Sequence, residues 1–188
     1  MEKKFEQQTA NCVKVVLFGP ESTGKTTLSH QLADHYQTLW VPEYAREYLQ
    51  RKWDEENKVC EAEDLIPIAR GQIEMENALS SQVTELLVCD TDLLETKVYS
   101  EAYFGFCDPL IEKYAFKNTY DLYFLTNIDI PWEKDDLRDK PYEREKMFAY
   151  FKKALDVSKR PYVLIEGNKE DRLKKAVKEI DQLLKTKQ

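Results

Sequence analysis

The sequence has few of the residues that would build a disulfide framework, a zinc site or a nucleic-acid surface. Its 188 residues include four cysteines, which are far apart and form no C-x-x-C pair, and only two histidines. Neither a disulfide framework nor a zinc site is therefore predicted. Acidic residues outnumber basic ones by 35 to 28, for a formal charge of −7. This balance disfavours a nucleic acid or an anionic membrane surface as a partner.

Long apolar runs are also missing. No segment approaches the roughly 18 consecutive apolar residues of a membrane span, and the first twelve residues are polar, without the apolar core of a signal peptide. We therefore expect a soluble, cytoplasmic protein. The length fits one domain, residues 1–188, which is large enough to bury a core without disulfides or metals.

A glycine-containing segment, residues 19–26, matches the phosphate-loop (P-loop) pattern G-x-x-x-x-G-K-[ST] at every fixed position. An apolar run at 13–18 precedes it, and apolar residues at helical spacing follow it. In this strand–loop–helix setting, loop N–H groups and the helix N-terminus bind phosphate. Lys25 is expected to reach the β and γ phosphates of ATP, and Thr26 to bind Mg²⁺. The residues assigned to ATP in this segment are Gly19, Pro20, Glu21, Ser22, Thr23, Gly24, Lys25, Thr26 and Thr27.

Four further apolar runs, at 38–41, 85–90, 120–125 and 162–165, alternate with helical patterns. The helix that follows the run at 38–41 is predicted to span about 43–52, and a charged loop is predicted at 53–61. Five strands that alternate with helices predict an α/β fold, a five-stranded parallel sheet with helices on both faces. This is the fold of P-loop NTPases of the nucleoside- and nucleotide-kinase type.

Acidic residues follow two of the predicted strands. Ligands of parallel sheets bind outside the carboxyl ends of the strands, so Glu43 and Asp90 are expected to meet the P-loop in one cleft. Asp90 would hold Mg²⁺, and Glu43 would accept the proton of an acceptor hydroxyl; a carboxylate favoured by a helix dipole is the alternative for both. Asp92 has the spacing of a capping box with Glu95, so a helix cap and a ligand of the substrate hydroxyl are equal alternatives for it.

A charged segment bounded by prolines, residues 127–142, follows the fourth strand and is predicted to form a lid. Arg138 and Arg144 would place guanidinium groups over the phosphates and stabilise the charge of the transition state; solvated surface arginines are the alternative. Trp132 would stack on a flat, cationic substrate ring, or pack on the domain instead.

Four more residues are candidates because of their neighbours. Asn168 and Arg172 follow the fifth strand and would line the adenine side of ATP, or begin the last helix. Tyr44 and Arg46 lie beside Glu43 and are candidate substrate contacts. For Tyr44, as for other aromatic residues of this region, packing is the more common role.

Several segments together resemble the ribosylnicotinamide kinase domain of the NadR family. They are residues 19–26, Val-Pro-Glu-Tyr-Ala-Arg-Glu-Tyr at 41–48, Gly71-Gln72 with Glu74, Cys-Asp-Thr-Asp at 89–92, and Asp-Ile-Pro-Trp with Asp-Asp-Leu-Arg-Asp at 129–139. The resemblance spans most of the chain. It implies transfer of the γ-phosphate of ATP to the ribose 5′-hydroxyl of nicotinamide riboside, with Glu43 as the base and nicotinamide mononucleotide as the product.

The chain departs from this family in one respect. Many members carry an upstream adenylyltransferase domain with an H-x-G-H signature, which this sequence lacks, so we expect the reaction to stop at the mononucleotide. A kinase for another nucleoside or small metabolite is the nearest alternative. A regulatory NTPase is disfavoured, because residues 126–129 lack the lysine of the guanine-reading [NT]-K-x-D element and residues 90–93 lack a D-x-x-G turn.

Overall fold

The computed structural model describes residues 2–133 and 143–187 and has a five-stranded sheet at its centre. The strands are β1 (Val13–Phe18), β2 (Trp40–Val41), β3 (Leu86–Asp90), β4 (Leu122–Thr126) and β5 (Tyr162–Ile165). The helices are α1 (Lys25–Tyr36), α2 (Tyr44–Glu56), α3 (Leu65–Ser80), α4 (Leu93–Phe104), α5 (Pro109–Lys117), α6 (Arg144–Ser158) and α7 (Lys169–Lys187). Short 3₁₀ turns occur at Glu2–Phe5 and Ala62–Asp64. Among the described residues, none of the helices has the length and apolarity needed to cross a membrane.

All strand pairs are parallel, in the order β2-β3-β1-β4-β5. The central strand β1 pairs with both β3 and β4, so that Val15 lies opposite Val88 on one side and Leu122 on the other. All six residues of β1 are buried, as a strand covered on both faces should be. The predicted five-stranded parallel sheet is confirmed, and its carboxyl ends share one edge.

Side chains of the strands alternate between two apolar layers. Val16 and Phe18 of β1 face the layer that contains residues of α3 to α6, including Ile73 and Phe151. Val15 and Leu17 face the opposite layer, which is closed by α1 and α7. This period of two is what places helices on both faces of the sheet.

The structure corrects two predicted boundaries. Helix α2 continues to Glu56, beyond the predicted end near residue 52, and part of the expected loop at 53–61 is therefore helical. The helix ends where Asn57 takes a left-handed conformation (φ 52°) and donates its N–H to the carbonyl oxygen of Trp53. Strand β2 is shorter than expected, with only two residues in the ladder.

Candidate active site

The P-loop turns sharply at the carboxyl end of β1. A Cβ at Gly19 would lie 2.5 Å from Thr126 Oγ1, so no side chain fits there. Thr23 Oγ1 bonds to the same Thr126 hydroxyl at 2.7 Å and donates to the carbonyl oxygen of Pro20 at 2.7 Å. The loop is thus anchored to the end of β4 as well as to β1. Positive φ angles occur at Gly19 (147°), Ser22 (56°) and Gly24 (82°).

Lys25, the first residue of α1, folds back over the loop. Its Nζ donates to the carbonyl oxygens of Gly19 at 2.7 Å and Pro20 at 3.1 Å, and lies 3.2 Å from Glu95 Oε1. Burial lowers the pKa of Lys25, but the carboxylates of Glu95, Glu43 and Asp90 together outweigh burial and raise it. The ammonium group is therefore charged where phosphates are expected.

Thr26 and Asp90 form a hydrogen-bonded pair. Thr26 Oγ1 donates to Asp90 Oδ2 at 2.6 Å, and Asp90 Oδ1 is buried without a hydrogen-bond partner. Burial and, second, the charge of Glu43 raise the pKa of Asp90 to about 6, while Lys25 lowers it. Within the described parts of the chain, no group of three or more His, Cys, Asp or Glu side chains could hold a metal. A hydroxyl and an orphaned carboxylate oxygen fit a Mg²⁺ ion whose other ligands are phosphate oxygens and water.

Glu43 precedes the first residue of α2 and lies at the same edge of the sheet, since its charge acts on Lys25 and Asp90. The side chain of Gln72 in α3, which is only 2% exposed, holds the backbone on both sides of it. Gln72 Oε1 accepts from the N–H of Tyr44 at 2.8 Å, and Nε2 donates to the carbonyl oxygen of Pro42 at 3.2 Å. Gln72 therefore fixes the backbone position of Glu43.

The ring of Tyr44 packs on Gly71, where a Cβ would lie 2.2 Å from Tyr44 Cε1. Tyr44 is not among the described residues that line the main cavity. The ring of Tyr44 thus packs against α3, as the packing alternative predicted, and a substrate contact by Tyr44 stays a prediction. Sequence reasoning noted Gly71-Gln72 only as part of a family resemblance and assigned it no role.

One large cavity, about 1440 Å³ in volume, joins these groups. It begins at the P-loop and extends between α2, α3 and α4. Arg46, three residues after Glu43, also lines it. Aromatic residues also line it, namely Trp40, Trp53, Tyr99, Tyr103 and Phe104.

Asp92 acts as a helix cap. One carboxylate oxygen accepts from the N–H of Glu95 at 3.0 Å, and the other accepts from the hydroxyl of Tyr123 at 2.7 Å. Both oxygens are buried and occupied, and Asp92 is not among the described residues that line the cavity. Of the two predicted alternatives, the structure shows the helix cap, and a contact of Asp92 with a substrate hydroxyl stays a prediction.

Arg172 and Asn168 mainly organise the loop ends. Arg172 donates from Nη1 to the carbonyl oxygen of Thr23 at 2.7 Å, from Nε to that of Gly167 at 2.8 Å, and forms an ion pair with Asp129. Asn168 Oδ1 accepts from the backbone N–H groups at the start of α7, at 2.9 and 3.0 Å. Both residues also line the cavity. Arg172 thus holds the P-loop at Thr23, and its predicted place on the adenine side stays a prediction.

Part of the predicted lid can be followed. Arg144 donates to the carbonyl oxygens of Ile130 at 2.9 Å and Ser22 at 3.2 Å, and Glu133 N–H donates to Ser22 Oγ at 2.8 Å. These bonds tie the start of the segment to the P-loop. Trp132 is half-buried and is absent from the described lining of the cavity. Arg138 lies outside the described residues.

Sequence reasoning missed Glu95. It considered Glu95 only as a partner of Asp92 in a capping box, but the structure places the Glu95 side chain in the cavity, against Lys25. The available signal was an acidic residue in the first turn of a helix that follows a strand-end aspartate. Local spacing cannot say which way that side chain turns.

Comparisons with known proteins identify the family and the fold of the chain. A family model, AAA_28, described as an AAA domain, matches residues 14–172. The trifunctional NAD biosynthesis/regulator protein NadR of Salmonella typhimurium is 27% identical over 124 residues, which are 66% of this chain and 30% of that protein. The chain thus spans about a third of the length of the curated relatives it matches.

Solved structures share the fold. A crystal structure of a NadR protein in complex with NR matches with a TM-score of 0.78 and 21% identity, over 93% of this chain and 52% of that chain. Thymidylate kinase from Ehrlichia chaffeensis matches with a TM-score of 0.65 and 15% identity, over 90% and 99% of the two chains. The P-loop fold and the resemblance to NadR, both predicted from the sequence, are confirmed.

Proposed function

The chain belongs to the AAA_28 family of AAA domains, and from this premise we infer that it is a kinase that phosphorylates the 5′-hydroxyl of nicotinamide riboside with ATP. One observation carries the proposal: Lys25, Glu43 and Asp90 line a single cavity, beside the P-loop. The similarity to NadR proteins, one of them solved with NR, supports this acceptor. On this proposal, residues 1–188 form one kinase domain.

The donor side is formed by the P-loop. Lys25 and the loop N–H groups bind the β and γ phosphates, as in other P-loop enzymes. Thr26 and Asp90 hold Mg²⁺, which neutralises phosphate charge when it is bound. Arg144, which is already hydrogen-bonded to the P-loop at Ser22, positions the start of the lid segment over the loop. Arg138 is proposed to add a second guanidinium group.

The acceptor side is the aromatic part of the cavity. Glu43 accepts the proton of the 5′-hydroxyl as the oxygen bonds to the γ-phosphorus, and the bond from phosphorus to the oxygen of the ADP leaving group breaks. The pyridinium ring of nicotinamide riboside is flat and cationic. Aromatic faces such as those of Trp53 and Tyr99, which line the cavity, attract such a ring.

A product screen tests the acceptor. Purified protein with MgATP is incubated with nicotinamide riboside, other nucleosides and thymidylate, and products are read by mass spectrometry. We expect nicotinamide mononucleotide from nicotinamide riboside and no product with Lys25→Ala, in which the phosphate-binding ammonium group is removed. Product from another acceptor alone would assign the same chemistry to that nucleoside or nucleotide. ATP hydrolysis without any phosphorylated acceptor would favour a regulatory NTPase.

A further inference from the structure

Glu95 contacts two groups of the P-loop that would otherwise face a phosphate. The side chain lies in the first turn of α4 and is only 2% exposed. Its Oε1 is 3.2 Å from Lys25 Nζ, and its Oε2 accepts a hydrogen bond from the N–H of Gly19 at 3.4 Å. An ammonium group and a loop N–H are the donors with which P-loops bind phosphate oxygens. The carboxylate therefore occupies an anion site.

The start of α4 is held in place independently of this contact. Asp92 caps the helix by accepting from the N–H of Glu95, and the hydroxyl of Tyr123, from β4, holds the second oxygen of Asp92. The backbone of Glu95 is thus held beside the P-loop by contacts that do not involve its own carboxylate. Glu95 plays no part in the phosphoryl transfer described above.

The surroundings of Glu95 are unfavourable to its negative charge. The charged or titratable groups that face it are Lys25 of α1, Glu43 before α2, Asp90 at the end of β3 and Tyr99 of its own helix. Burial first, and then the charges of Glu43 and Asp90, raise the pKa of Glu95 to about 8, although Lys25 lowers it. The single positive charge of Lys25 thus lies near three carboxyl groups, those of Glu95, Glu43 and Asp90.

We propose that Glu95 is an internal anion that occupies the phosphate site of the nucleotide-free protein, so that a nucleotide must displace it from Lys25 in order to bind. This inference rests on the proposed function only in that the ligand is a nucleotide with a phosphate tail. An arriving phosphate brings more negative charge to a buried site that already holds a carboxylate. The ionised form of Glu95 therefore competes with nucleotide, and the neutral form does not.

The test is the affinity for MgADP, measured by isothermal titration calorimetry on the wild-type protein, Glu95→Gln and the control Glu101→Gln. Glutamine keeps the shape of the side chain and removes its charge. Because the ionised carboxylate lies 3.2 Å from Lys25 Nζ and must give up this ion pair when a phosphate binds, we expect Glu95→Gln to bind MgADP roughly tenfold more tightly than wild type near pH 9. Glu101 lies on the same helix, is exposed and pairs with Lys97, so its variant should match wild type.

The pH dependence separates this role from a structural one. Protonation of ADP affects both proteins equally and cancels in the ratio of their affinities, which then reports on the charge of Glu95 and its coupling to Glu43 and Asp90. We expect the advantage of Glu95→Gln to shrink as the pH falls to about 6.5, where the wild-type carboxyl carries a proton. Glu95→Ala provides the same comparison if the glutamine variant does not fold.

The outcomes distinguish the two proposals. Equal or weaker binding of MgADP by both Glu95 variants, with normal binding by wild type, would overturn the competition and leave the proposed kinase intact. An advantage that does not change with pH would also overturn it, because the charge would then not be the cause. If neither wild type nor any variant binds MgADP, the proposed function fails too.

Discussion

Gln72 and Tyr44 are joined by a 2.8 Å hydrogen bond from the backbone N–H of Tyr44 to the Gln72 side-chain oxygen. The amide nitrogen of Gln72 donates to the carbonyl oxygen of Pro42. Pro42 and Tyr44 flank Glu43, so one buried side chain holds the backbone on both sides of Glu43. The position of the Glu43 carboxylate at the start of α2 depends on the position of the Glu43 backbone. In this protein, that backbone is held from α3.

Gln72→Met therefore tests a positioning role. The substitution preserves length but leaves the Tyr44 N–H and the Pro42 carbonyl without their partner. We expect kcat to fall by about 10- to 100-fold, because a small misplacement of a catalytic group is costly, while the Kd for MgADP changes little. Gln82→Met, at an exposed position just after α3, is the matched control. A loss of MgADP affinity equal to the loss in kcat would instead indicate general damage to the cavity.

Glu43→Gln tests the proposed base directly. Glutamine cannot take the proton of the acceptor hydroxyl, and general base catalysis contributes roughly 10²- to 10⁴-fold. We expect a fall in kcat of that size in a steady-state assay of mononucleotide formation, with ADP binding retained. Glu56→Gln, at the last residue of α2, exposed, paired with Lys58 and absent from the described lining of the cavity, should keep the wild-type rate. Full activity of Glu43→Gln would transfer the role of base to another group.

Asp90→Asn tests the metal ligand. The amide keeps the size of the side chain but removes the negative charge, so it binds Mg²⁺ less strongly than a carboxylate. We expect the Mg²⁺ concentration that gives half-maximal activity to rise by roughly tenfold or more, as one charged ligand is lost. Asp34→Asn, on the exposed face of α1, serves as the control. An unchanged Mg²⁺ requirement would remove Asp90 from the metal site.

The sequence predicted the sheet and the convergence of the acids because both follow from local patterns and topology. Apolar runs define buried strands, and parallel pairing brings their carboxyl ends to one edge, which places Glu43 and Asp90 beside Lys25. Asp92 could not be assigned, because its second partner, Tyr123, lies 31 residues further along the chain. The spacing of residues within a helix can predict a helix cap. It cannot predict a contact with a residue of another strand, such as the one between Asp92 and Tyr123.

Contacts that join distant elements are not readable from the sequence for the same reason. Arg172 lines the cavity, and its place on the adenine side stays a prediction, but its hydrogen bond to the carbonyl oxygen of Thr23, 149 residues earlier, has no signal in the sequence. Glu95 was seen only as part of a capping box, although its carboxylate reaches Lys25. In both cases the sequence gives the charge of the side chain. It does not give the direction in which the side chain points, because that direction depends on tertiary packing.

The buried position of Glu95 also predicts how the stability of the nucleotide-free protein depends on pH. The pKa of Glu95 is raised from 4.5 to about 8 on folding. Between these values the folded chain holds a proton that the unfolded chain has released, so the free energy of unfolding falls as the pH rises through this window. The penalty is complete above about pH 8 and absent below about pH 4.5.

Glu95→Gln removes this penalty because glutamine carries no charge at any of these pH values. Urea unfolding of the two proteins between about pH 5 and pH 9 should therefore show the variant to be more stable than wild type at high pH, by up to a few kcal/mol. The difference should shrink towards pH 5, where both side chains are neutral. Glu101→Gln, which is exposed and on the same helix, should follow the wild-type curve. A wild-type protein that is stabilised relative to Glu95→Gln at pH 9 would show that the ion pair with Lys25 outweighs the burial of the carboxylate.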